Sequence, residues 1–310
     1  MKVVLLSGGL GGARLAPALG RVLGPGRLAV IANVGDDLEW MGLRVCPDVD
    51  SILYALAGVW DGKRGWGRRG ETFRVCECLE SLRALSWFGI GDQDLAMHLE
   101  RTRLLRSGRR LTDVTRELSS KLGVRGVTVA PAADAPAATR FVLCDRRTLD
   151  FQEWYVRECA RPRLRRTILS RAPASPAALD VLADADAVVL GPSNPITSIG
   201  AILALPGMKS AVRAVPRRMA VSPVVVRRRG RSANIAQHAR ARRRVLEAEG
   251  AQDRPAAIAA RYAPLVDRFL LDRSDRADAD AIRRLGIEPV LADLLDPAAL
   301  ARALAKLISG

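Results

Sequence analysis

The sequence predicts an α/β fold built around a parallel sheet, and three observations carry that expectation. Short, wholly apolar runs at Val3–Leu6, Leu28–Ala32 and Ala187–Leu190 have the length and composition of strands buried on both faces. The first and the last of them run directly into glycine-containing loops that lead into helical patterns. From Ser232 onward the chain alternates helices (one at Ala256–Tyr262) with strands, in the order Phe269–Leu271, helix Ala277–Leu285, Pro289–Ala292, helix Pro297–Leu307. A chain of 310 residues is long enough for one large α/β domain, or one and a half.

Taken in order, Val3–Leu6 is followed by Gly8, Gly9, Gly11 and Gly12 and then by a helix over Ala13–Leu23. A strand, a glycine turn and a helix N-terminus together form an anion site, because backbone without side chains approaches a phosphate closely and its N–H groups point at the charge. The pattern G-G-x-G-G is neither the dinucleotide fingerprint nor the P-loop. It therefore points to a nucleotide or phosphorylated ligand without specifying which. Leu28–Ala32 ends in Asn33-Val34-Gly35-Asp36-Asp37, polar residues at the strand end where ligands of parallel sheets bind. Asp48 and Asp50 precede an apolar stretch, Ile52–Val59, that reads as a helix. They either cap that helix, or hold Mg2+ and accept a proton beside the phosphate loop.

Residues 61–70, DGKRGWGRRG, form a glycine- and arginine-rich loop around Trp66 with the character of a flap. Helical patterns at Glu71–Leu85, Asp92–Leu105 and Thr112–Leu122 follow without an intervening strand, as an inserted helical lobe over the cleft would. His98 lies on the second of these, where packing or hydrogen bonding is the expected role. Strands are expected at Val124–Val129, Arg140–Cys144 and Asp150–Val156, a helix near Ala177–Ala183, and a strand at Met219–Val226. After Ala187–Leu190 the loop Gly191–Gly200 offers Ser193, Asn194, Thr197 and Ser198, which donate to phosphate or ribose oxygens without adding charge. Two strand–loop–helix anion sites in one chain imply a ligand at the switch point of the sheet. The run Arg227-Arg228-Arg229-Gly230-Arg231 is either a solvated face or a contact for anionic substrate.

The formal net charge of +16 invites a nucleic-acid reading. The excess is almost all arginine, with only five lysines, and is spread along the chain; aromatics at 4% are too few for a base-stacking platform. Nucleic acid is therefore not expected as a partner. No run approaches a membrane span and no secretory signal is seen, so a cytoplasmic location is expected. Cys46, Cys76, Cys78, Cys144 and Cys159 lack metal-site spacing and read as reduced thiols. Apolar faces on the terminal helices would allow a homodimer.

Eight segments resemble one family in order and spacing: SGGLGGARL (7–15), NVGDD (33–37), CPDVDSILY (46–54), RGWGRRGET (64–72), WFGIGDQDLAMHL (87–99), FQEWYVR (151–157), GPSNPITSIG (191–200) and VSP (221–223). The chain resembles the CofD/FbiA transferases of coenzyme F420 biosynthesis. The resemblance implies a Rossmann-like α/β core over 1–60 and 123–310, with a mostly helical insertion over 61–122 that covers the cleft and the deazaflavin site. It implies transfer of a phospho-three-carbon-acid group, 2-phospholactyl or phosphoenolpyruvyl, from a guanosine diphosphate ester to the ribityl hydroxyl of the deazaflavin Fo, with release of GMP. A 3-phosphoglycerate-derived donor is a variant of the same scheme. Carried onto this chain, it implies donor binding by Gly8, Gly9, Gly11, Gly12, Asn33, Ser193, Asn194, Thr197 and Ser198. Asp48 and Asp50 would hold Mg2+ and activate the hydroxyl, and Asp36, Asp37, Trp66 and Trp87 would attend Fo. The chain departs from the family pattern at Pro131–Pro136, at Ala201 and at residues 224–234. These changes leave open a catalytically altered nucleotide-binding or regulatory protein on the same fold, an alternative that the retained acidic motifs oppose.

Overall fold

The computed structural model describes residues 1–84, 87–225 and 233–310. Its first strand, β1 (Val3–Ser7), is buried along its whole length and leads through Gly8 into α1 (Gly9–Leu23) and then β2 (Leu28–Ala32). A hairpin of β3 (Leu38–Trp40) and β4 (Leu43–Val45) precedes α2 (Pro47–Leu56). Then come α3 (Arg74–Ser81), α4 (Asp92–Arg106), α5 (Leu111–Lys121) and β5 (Val127–Pro131). An antiparallel meander follows, from β6 (Arg140–Leu143), β7 (Thr148–Asp150) and β8 (Leu164–Ile168). The second half of the chain supplies α6 (Pro176–Ala183), β9 (Ala187–Leu190), α7 (Ile199–Ala204), α8 (Met208–Ala214) and β10 (Arg217–Val221). It ends in α9 (Ala233–Ala248), α10 (Pro255–Tyr262), β11 (Arg268–Asp272), α11 (Ala279–Arg283), β12 (Glu288–Ala292) and α12 (Pro297–Ser309).

Seven of these strands form one parallel sheet in the order β12-β11-β10-β9-β1-β2-β5. The chain leaves β1 toward β2 and β5 on one side, then returns to place β9 on the other. The direction of winding thus reverses between β1 and β9, which pair from Val3 opposite Ala187 to Leu6 opposite Leu190. Loops after these two strands must diverge to opposite faces, leaving a crevice at their C-terminal ends. Central strands buried on both faces need apolar residues throughout, which is why VVLLS and AVVL do not alternate.

Some expected boundaries shift for identifiable reasons. Helix α1 begins at Gly9 rather than at Ala13, so three of the glycines lie inside its first turns. The strand expected over Asp150–Val156 ends at Asp150, and Glu153–Arg157 forms a π-helical turn. There Phe151 and Tyr155, four residues apart, stack with ring centres 5.4 Å apart, while Trp154 is buried against Phe141; a helical turn makes those contacts and a strand does not. Helix α3 is shorter than Glu71–Leu85 because the Glu71 carboxylate accepts from the N–H groups of Gln93 and Asp94, capping α4 instead. Strand β10 ends before Pro223, which has no N–H for the ladder. The arginine run at 227–231 lies outside the described residues. Among those described, no helix is long and apolar enough to cross a membrane, and the five cysteines are all free.

Candidate functional site

A cavity of about 480 Å³ opens at the C-terminal ends of β1 and β9. The two expected loops meet there. Ser193 Oγ lies 2.9 Å from Ser7 Oγ and accepts from the Gly8 N–H at 3.0 Å. The glycines are required by close approach rather than by a left-handed backbone. A Cβ on Gly8 would stand 2.4 Å from Ser198 Oγ, one on Gly9 2.6 Å from Asp48 Oδ1, and one on Gly11 2.6 Å from both the Pro192 carbonyl and Ser193 Oγ. Gly12 points away from the cavity, toward Ser7 and Ile52, and serves the packing of α1 on α2. In the second loop Asn194 Oδ1 accepts from the N–H groups of Ile196 and Thr197, so that its side chain shapes the turn, and Asn194 lines the cavity together with Ser193, Thr197 and Ser198.

The acidic residues divide into two groups. Helix α2 starts at Pro47, with Asp48 and Asp50 in its first turn. Residues two apart on a helix do not share a face, and these two turn to different neighbours. Asp48 packs against Gly8 and Gly9, and its Oδ2 accepts from the Asn33 amide at 2.8 Å. The same amide donates to Asp36 Oδ1 at 3.1 Å, while Asn33 Oδ1 accepts from the Gly35 N–H, which fixes the amide's orientation. Asn33 is thus a buried clasp between two carboxylates and does not itself line the cavity. Burial, followed by the Asp48 charge, pushes the Asp36 carboxyl well above its ordinary value; burial raises Asp48 to about 6 against the opposing bonds from Asn33 and Gly9.

Asp50 faces α4. Both its oxygens accept from the guanidinium of Arg101, which is itself fully buried, and one of these bonds measures 3.0 Å. Burial raises the Asp50 carboxyl, and Arg101 and then His98 oppose that rise. Asp94 and His98 complete this second group and also line the cavity, and the Tyr54 hydroxyl donates to Asp94. Asp94, His98 and Arg101 follow the i, i+4, i+7 spacing of one helix face. That polar spacing on α4 is the available signal for Arg101, which lies outside every quoted segment, and for Asp94, which lies within segment 87–99 without being singled out as a site residue.

The remaining expected residues are placed unequally. Asp37 turns from the cavity to an ion pair with Arg44 at 2.8 Å, and burial pushes its carboxyl to about 7 although Arg44 opposes it. Trp66 lines the cavity, with the Arg64 guanidinium 5.0 Å from its ring centre. Trp87 does not line it; its ring packs edge-on against Trp40 at 4.9 Å and under Arg157 at 5.7 Å. In the departing loop at 131–136, Ala132 and Ala133 are buried and Asp134 accepts from the Thr112 N–H, so this loop caps α5.

The family model described as 2-phospho-L-lactate transferase CofD matches residues 3–307. The chain is 44% identical over 222 residues to a phosphoenolpyruvate transferase of Nocardia farcinica, covering 68% of this chain and 67% of that one. It is 36% identical over 297 residues to the phosphoenolpyruvate transferase of Kitasatospora aureofaciens, covering 93% and 90%. Its fold is also that of a UPF0052 family protein from Bacillus halodurans, with a TM-score of 0.65 at 16% identity over 98% of both chains. A family match over nearly the whole chain, joined to a switch-point cavity with its glycine turn and buried carboxylates, makes this protein a member of the CofD family of transferases.

Proposed function

We propose that the protein moves a phospho-three-carbon-acid group, phosphoenolpyruvyl or 2-phospholactyl, from a guanosine diphosphate ester to the terminal ribityl hydroxyl of Fo, releasing GMP in coenzyme F420 biosynthesis. The observation that carries this reading is the meeting of an anion-binding turn and a buried carboxylate pair in one cavity. A cation between them would let a polyphosphate and two carboxylates occupy the same few ångströms. Asp36 and Asp48 fit a divalent cation on that ground. Their carboxyls are raised by burial, share one neutral amide, and have no ion-pair partner among the described residues. Mg2+ held there would neutralise donor phosphate oxygens as charge builds on the leaving GMP.

The chain's own groups do the rest. The α1 N-terminus and the hydroxyls of Ser193, Thr197 and Ser198 hold the donor's phosphates in line. Asp50, whose charge Arg101 balances, stands on the acceptor side and takes part in orienting the attacking hydroxyl. The loop around Trp66 and the helices of residues 61–122 shelter the deazaflavin ring and exclude water. The names of the relatives favour phosphoenolpyruvate as the acid.

The test supplies purified protein with Mg2+, Fo, GTP, a guanylyltransferase, and phosphoenolpyruvate, 2-phospholactate or 3-phosphoglycerate in turn, with products read by mass spectrometry. The expected result is one acid joined to Fo through a phosphodiester, with GMP in equal amount. No Fo product with any acid would refute the proposal.

A further inference from the structure

His98 carries a buried ring nitrogen, Nε2, with no acceptor within hydrogen-bond reach among the described residues. Its ring is 2% exposed, and its Nδ1 lies 3.1 Å from the Arg101 guanidinium. A guanidinium only donates, so Nδ1 must present its lone pair, and the ring hydrogen sits on Nε2. Nε2 has no hydrogen-bond partner among the described residues. The nearest acceptor, Asp94 Oδ1, is 3.6 Å away, beyond hydrogen-bond reach. Both residues line the cavity. A buried N–H without an acceptor is a standing cost that a ligand oxygen relieves.

The chemistry of that ligand is constrained on three sides. Donor atoms of Asp50, Asp94 and His98 lie within 4.8 Å of one another, as in a metal site. A cation is not what the gap suits: Nε2 carries hydrogen, and the charge of Asp50 is already balanced by Arg101, which bonds both its oxygens. An anion is excluded by the Asp94 carboxylate, which lies beside Nε2 and accepts from the Tyr54 hydroxyl. The group that suits the gap accepts from Nε2–H and donates to Asp94, which is what a hydroxyl does.

We infer that Asp94 and His98 form a hydroxyl-selective subsite for the polyol chain of the acceptor. The inference rests on the proposed acceptor and deepens it, naming two substrate-touching residues beyond the acidic pair at the glycine turn. Arg101 is then a positioning residue, fixing the imidazole tautomer that the subsite needs.

Two substitutions separate this role from a structural one. His98→Asn keeps an acceptor near the Nδ1 position for Arg101 and removes the distal donor. His98→Gln keeps a distal donor and gives up the Arg101 contact. Fo and guanine nucleotide are titrated separately by calorimetry into wild type and both variants. H98N is expected to weaken Fo about tenfold, the worth of one hydrogen bond, with nucleotide affinity unchanged, and H98Q to recover most of the loss. A purely structural histidine reverses that order and overturns the inference. So does H98N binding Fo as wild type does, which would assign the gap to a resident water. A deazaflavin with an alkyl chain in place of ribityl, titrated into wild type alone, should lose at least the same factor; equal binding would also overturn the inference. If wild type bound no Fo, the functional proposal would fall and take the subsite with it, whereas Fo binding without these effects removes the subsite alone.

Discussion

Arg101 is the residue whose removal tests the architecture most directly. It is fully buried, its fork holds both oxygens of Asp50, and one amino group also reaches His98 and the Arg44 carbonyl. Arg101→Leu keeps the bulk of the stem but leaves the Asp50 carboxylate buried without its counter-charge. Breaking a buried pair from one side costs about 3–5 kcal/mol, a fall in melting temperature on the order of 10 °C for a chain of this size. The pH dependence follows in sign. Without Arg101 the folded-state pKa of Asp50, already raised by burial, rises further above the unfolded value of about 3.9. Folded protein then binds the extra proton, so stability is greatest in acid and falls as pH rises toward the folded pKa. R101L is therefore expected to lose less at about pH 5 than at about pH 8. Adding Asp50→Asn should restore part of the loss, because it removes the stranded charge. Thermal and urea unfolding of the four proteins of this cycle measure both effects. A double variant no more stable than R101L, or an R101L loss independent of pH, would refute the assignment of Arg101 as the counter-ion of Asp50.

Three further outcomes follow from the same geometry. Gly9→Ala should reduce turnover about 100-fold with little change in melting temperature, because its Cβ stands 2.6 Å from Asp48 Oδ1 and displaces that carboxylate while suiting the helix; steady-state kinetics beside a melting curve check it. Asp48 and Asp37, raised to about 6 and about 7, bind protons in the folded state that the unfolded chain releases. Metal-free protein should therefore melt higher at about pH 5.5 than at about pH 8, and the rise in melting temperature on adding Mg2+ should grow over the same interval, as scanning fluorimetry across pH would read. Trp66→Ala should raise the KM for Fo several-fold while leaving the KM for the guanosine donor unchanged, because Trp66 lines the cavity from the loop of residues 61–70; initial rates with each substrate varied in turn separate the two.

Strands of the large sheet were legible because burial on both faces writes itself as unbroken apolar runs: Leu28–Ala32 and Ala187–Leu190 end where the residue pattern ends. More exposed elements were not. The strands of the hairpin Leu38–Val45 have three residues each and strand Leu164–Ile168 is largely exposed, so neither shows a period that separates them from loop. The site divides in the same way. Glycines and carboxylates announce themselves by residue type, and Gly8, Gly9, Gly11, Asp36, Asp48 and Asp50 all reach the cavity. The spacing of Asp48 and Asp50 suggested a single acidic unit, yet helix geometry sends one to Asn33 and the other to Arg101. Which partner each carboxylate meets depends on contacts fifteen and fifty-one residues away. Local pattern does not carry that information. Trp87 makes the same point, since its ring is used up by Trp40 and Phe88.

The reversal of winding between β1 and β9 also sets the order in which the molecule is built. β1, an interior strand of the sheet, receives β9 as one of its two neighbours, and the adjoining contact of Lys2 with Asp186 spans 184 residues. On the ribosome, the first strand therefore waits half-paired until most of the chain has emerged, and the glycine turn has no Ser193 to close it. A parallel sheet with so distant a pairing is slow to form, and its unpaired apolar edge is open to wrong partners meanwhile. Fragments ending before β9 should consequently be insoluble rather than partly active. Refolding of the whole chain should be limited by the arrival of its second half at a strand made first.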